Sequence, residues 1–198
     1  MDEIRHLCRH TIDRAQGLLY GNLMFGIDHV TKLTPKHLEE NDSERTIGWW
    51  FAETPELRDL YLQERRDADG TTSLSWSRSG IRLYQQLAQE FLKDVAVAIH
   101  FSASPPVRAP KFLSPMWRNT EQLRHIQLRY GKVLFHLVEH KMMATTGKNV
   151  NNVRFLCEEL SELYVNYVIY VIPVLESMAW QEDIRFSISP FLWSDAEG

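Results

Sequence analysis

The sequence predicts an all-α protein: an irregular helical bundle of about four long and two short helices, with an extended proline-rich crossover and an extended C-terminal tail. Three observations point there. Apolar residues recur every three or four positions over most of the chain, prolines stand where helices begin, and turn-forming residues separate the periodic stretches. A single helical domain is expected over residues 1–183, with the tail at 184–198.

From Ile4 onward, Leu7, Cys8, Ile12, Ala15, Leu19, Leu23, Ile27 and Val30 fall on one stripe, so a first amphipathic helix is expected to about Lys32. Gly17, Gly21 and Gly26 weaken it, each by about 1 kcal/mol relative to alanine. Thr34-Pro35 and Thr54-Pro55 each put a capping hydroxyl before a proline at the first helical position, which predicts two short helices. The second of these ends near Arg66, before the turn-like DADGTTS.

Ile81, Tyr84, Leu87, Ala88, Phe91, Leu92, Val95, Ala96 and Ile99 define a long helix beginning at Ser79. Pro105, Pro106, Pro110 and Pro115 then remove amide donors and force an extended crossover. Asn119 with Gln122 resembles a capping box, and Leu123, Ile126, Tyr130, Val133, Leu134, Leu137 and Val138 read as the apolar stripe of the helix that follows. A last helix is expected to start among Asn149 to Asn152 and to bend at Pro173, although the β-branched residues of 164–175 also permit a strand. The closing IRFSISPFLWSDAEG alternates apolar and polar residues and reads as extended.

With 198 residues, 44% of them hydrophobic, the chain can build one core. Its net charge of −4 gives no global attraction to polyphosphate, which ranks RNA binding last among the readings. Cys8 and Cys157 stand outside any CxxC or Cys/His cluster and read as buried thiols. The charged start, MDEIRHLCRH, lacks the apolar run of a secretion signal, so an intracellular, cytoplasmic setting is expected. The apolar run from Tyr167 to Leu175 falls short of the ~20 residues that span a bilayer, and no membrane span is expected.

Catalytic patterns fail on spacing. TTGKN lacks the earlier glycine of a phosphate-cradling loop, WSRSG is not a nucleophile elbow, and DADG places its glycine too early for a calcium loop. Two HxxxH pairs remain. On a helix, residues four apart share a face, so His136 and His140, together with His6, His10 and Asp13, define an alternative reading as a zinc- or iron-holding bundle. His125, Arg129, Lys132, His136 and His140 also share one helical flank, suited to an acidic partner or an anion.

Aromatic residues outside the stripes form the other group. Trp49, Trp50, Phe51 and Trp117 either cover the core or contact a partner, and Phe191, Leu192 and Trp193 dock on their own domain or in another molecule. The leading expectation is a non-enzymatic, cofactor-free interaction protein: an adaptor, a regulatory subunit or a virus-encoded accessory factor that binds a protein partner and self-associates as a homo-oligomer.

Overall fold

The computed structural model describes residues 2–26, 33–38, 40, 43–47, 49–50, 76–102, 112–139, 150–181 and 189–193. Two expected elements, the helix after Thr54 and most of the proline-rich crossover, lie outside these residues. Among the described residues no helix is long and apolar enough to cross a membrane.

Helix α1 spans Asp2–Gln16 and widens into a π-helical stretch, Gly17–Leu23. It stops earlier than the stripe predicts because Phe25 and Gly26 both turn left-handed, with φ of 56° and 60°. Pro35–His37 forms a single 3-10 turn, and α2 runs over Arg78–Ser102. Helix α3, Glu158–Asn166, passes through a second wide stretch, Tyr167–Val171, into α4, Ile172–Gln181, so the segment that permitted a strand is helical. Pro173 accounts for that widening: its ring would collide with the carbonyl of Ile169, four residues back, which lies inside the wide turn.

The all-α helical bundle is overturned by a three-stranded antiparallel sheet, ordered β1-β2-β3, which makes the protein mixed α/β. Strands β1 (Ile126–Arg129), β2 (Lys132–Glu139) and β3 (Val150–Phe155) occupy the helix expected after Asn119 and the start of the last helix. The physical reason is the Tyr130-Gly131 pair. Both residues adopt positive φ, 54° and 66°, as a two-residue hairpin turn demands, with Arg129 opposite Lys132. On either side of it the residues alternate, so Ile126, Leu128, Val133 and Phe135 share the buried face. Asn119 caps no helix. Its side-chain Nδ2 donates to the carbonyls of Glu44 and Thr46, at 3.0 and 3.1 Å.

Helices α3 and α4 form the central rod, which is buried all round over residues 163–173. On one side it meets α1 and α2, where Phe91 stacks on Tyr167 at 4.8 Å. On the other it meets the sheet, where Val133 N–H donates to Ser161 Oγ at 3.1 Å and Phe135 lies 6.3 Å from Tyr164. Burial pushes the Tyr164 and Tyr167 hydroxyls well above the usual tyrosine range. Arg14 grips both carboxylate oxygens of Asp94, joining α1 to α2.

Two loop contacts complete the core. Arg124 and Glu40 form an ion pair with both side chains fully out of solvent. Arg124 also donates to Asn119 Oδ1 at 3.0 Å and lies 4.2 Å over the Trp49 ring. Burial pushes the Glu40 carboxyl up and the Arg124 guanidinium down from their ordinary values. The segment 189–193 docks on its own domain: Leu192 N–H donates to Pro115 O at 3.0 Å, and Trp193 stacks on Phe112 and Phe135 at 4.9 and 5.8 Å.

Removing one member of the buried pair strands the other. Glu40→Ala is expected to cost about 3–5 kcal/mol in urea unfolding, and adding Arg124→Met to that variant to cost little more. Trp193→Ala, which empties the slot between Phe112 and Phe135, is expected to cost about 3 kcal/mol in the same assay.

Candidate functional site: the outer face of the sheet

Because strand side chains alternate, the residues between those of the core face lie on the opposite face of the sheet. His125, Gln127 and Arg129 therefore share a face with Lys132, Leu134 and His136; Arg129 and Lys132 are exposed, His125, Gln127 and His136 half-buried, and Leu134 buried. The pairing extends one step past β1, since His136 N–H donates to His125 O at 2.7 Å. Four of the five residues expected on one helical flank, His125, Arg129, Lys132 and His136, are thus brought together on a sheet instead. His140 lies outside the described residues.

Strand β3 adds Val153, opposite His136, and Phe155, opposite Leu134. Both are about half exposed, at 46% and 45%. Tyr130 stands at the tip of the hairpin, 86% exposed, with its ring 6.5 Å from that of Phe155. No Asp or Glu occupies positions 125, 127, 129, 132, 134, 136, 153 or 155, so the face is cationic and apolar.

The tip is braced from below. A Cβ on Gly131 would lie 2.7 Å from the Cα of Lys36, so glycine is required there for space as well as for φ. Lys36 is itself held by an ion pair to Glu158 at 2.5 Å, at the start of α3. Its segment is clamped by Asn166, whose side-chain amide accepts from Leu33 N–H and donates to Leu33 O, both at 2.9 Å. Tyr130 is therefore displayed from a fixed support.

His125 anchors the other end of the face. Its Nδ1 accepts the Met116 N–H at 3.2 Å, which requires a neutral ring, and burial followed by the nearby His136 holds its pKa below the usual histidine value.

The remaining candidates are scattered. His6, His10 and Asp13 lie exposed on α1, and among the described residues no three His, Cys, Asp or Glu side chains converge as a metal-ligand set. For His136 the helical geometry behind the metal reading does not hold, because it lies on strand β2. Trp50 and Trp117 are buried edge to face, with ring centroids 5.0 Å apart, and Trp49 lies beneath Arg124. Leu192 is buried, Phe191 remains half exposed, and Phe51 falls outside the described residues. Cys8 is half-buried and Cys157 exposed, not the buried thiols expected.

Sequence reasoning missed Tyr130, Val153 and Phe155 as surface residues. The available signal was the Tyr-Gly pair between two short alternating runs.

No family model matches the chain, and neither the curated proteins nor the solved structures contain a match to it.

The neutral ring that His125 needs fixes the sign of one pH effect. With its folded pKa below the unfolded value of about 6.5, the unfolded chain takes up the proton first, so stability present above that pH falls as the pH drops through it. The urea midpoint of the wild-type protein is expected to decline from pH 7.5 to 5.5, with a shallower decline for His125→Phe.

Proposed function

We propose that this chain is a protein-binding module, of the adaptor or regulatory kind, whose contact surface is the outer face of the sheet. Tyr130 and Phe155 are its apolar anchors, and Arg129, Lys132 and His136 surround them. The partner presents acidic groups beside an apolar side chain. Two copies meeting face to face would set like charges against each other, which disfavours that arrangement.

The observation that carries this reading is Tyr130. A tyrosine at φ 54° adopts a left-handed conformation that costs on the order of 1–2 kcal/mol, which asparagine or glycine largely avoids at the same turn position. At 86% exposure its ring gains little from its own fold. A bulky aromatic kept at such a position, beside a second exposed aromatic and several cations, matches the side chains that dominate binding energy at protein interfaces.

Tyr130→Asn separates stability from binding. The variant is expected to be as stable as the wild type or up to about 1 kcal/mol more stable. It is also expected to lose tenfold or more in affinity for the proteins that the wild type captures from cells expressing it natively, and Phe155→Ser to lose similarly. Unchanged capture by both variants overturns the proposal.

A further inference from the structure

The two edges of the sheet are treated differently. On β1 the outward amides are occupied: Ile126 N–H donates to Met116 O at 3.1 Å, and Leu128 N–H donates to the Glu40 carboxylate. Among the described residues strand β3 has no such cover. Since Ile126 points away from β2, its partner Phe135 turns its backbone toward Arg154 on β3. By the same alternation Val153 and Phe155 direct their N–H and C=O groups away from β2. Among the described residues no hydrogen bond reaches the backbone of either one.

An open strand edge is a template for another strand, and folds that must stay monomeric guard it with lysine, proline, bulges or a covering element. The strand VNNVRF has neither lysine nor proline, and its only charge, Arg154, is buried on the opposite face. The outward side chains next to the open backbone are the half-exposed Val153 and Phe155.

We propose that β3 pairs antiparallel with β3 of a second copy of this chain, joining two three-stranded sheets into one of six strands across a twofold axis. The strand is suited to itself. An axis at Val153 sets valine beside valine and Phe155 beside Asn151, and no like charges meet. The cations of the two β2 strands are then three strand spacings apart, about 14 Å, beyond the Debye length of about 8 Å at physiological ionic strength. This pairing uses the edge of the sheet and leaves the outer face free, so it stands independently of the binding function proposed above.

The test is the mass of the full-length chain by light scattering across a dilution series, for the wild type and for Val153→Lys and Val153→Pro. The lysine variant installs an edge guard without altering the backbone, and it keeps the test valid if the proline variant fails to fold. The expected result is a wild-type dimer that dissociates on dilution, with a dissociation constant raised at least tenfold in the lysine variant while circular dichroism is unchanged. A wild-type monomer at the highest concentration overturns the proposal and leaves the edge to a foreign strand or to water. A dimer that survives Val153→Lys overturns it equally, because the contact then lies elsewhere. Neither failure touches the binding face, which is read out by Tyr130→Asn.

Discussion

The ion pair between Glu40 and Arg124 is the buried contact that joins Glu40 and its neighbours to the start of β1. Taking both charges out of water costs several kcal/mol for each, so the pair persists only because every remaining polar group around it is used. Arg124 spends its other donors on Asn119 and on the Glu44 carbonyl, and its flat face on Trp49. Glu40 spends its second oxygen on the amide of Leu128. One carboxylate therefore closes an edge of the sheet and ties down the segment that carries Trp50 into the core against Trp117. The placement of β1, and with it of the hairpin and its exposed face, follows from this cluster.

The central rod supplies the second constraint. Three of its polar residues reach neighbouring elements: Ser161 the backbone of β2, Asn166 the backbone at Leu33, and Glu162 the Tyr20 hydroxyl at 3.3 Å. These bonds fix where the sheet and the Pro35–His37 turn sit on an otherwise greasy cylinder. The turn in turn presses Lys36 against Gly131, so the exposed tyrosine is positioned by residues deep in the protein.

The helices were legible because their apolar stripes are long. In α2 the period selects Ile81, Tyr84, Ala88, Phe91, Val95 and Ile99, which are buried, together with Leu87, Leu92 and Ala96, which are partly buried. The hairpin was not legible, because over a few residues a 3.6-residue period and a 2-residue period choose overlapping positions. Ile126 and Val133 are apolar under either reading, and what decides between them is whether Tyr130-Gly131 accepts a left-handed turn. The grouping of His125, Arg129, Lys132 and His136 nevertheless holds under both geometries. Steps of four, three and four follow one flank of a helix, and in a hairpin the two even steps keep to one face while the middle step crosses a two-residue turn between paired positions. Tyr130 left a trace only in the Tyr-Gly pair, and the buried ion pair left none, since it depends on a contact between segments far apart in sequence.

The docking of the segment around Trp193 bears on how the chain is made. Leu192 and Trp193 complete a core whose other walls, Leu92, Phe112 and Phe135, are synthesised much earlier. A nascent chain emerges from the ribosome at about 5–20 residues per second, so those walls are outside for several seconds before their lid arrives. During that interval the apolar slot stays uncovered, and a product truncated before residue 190 leaves it so. The last part of the chain to be made thus closes a core built from parts made long before it.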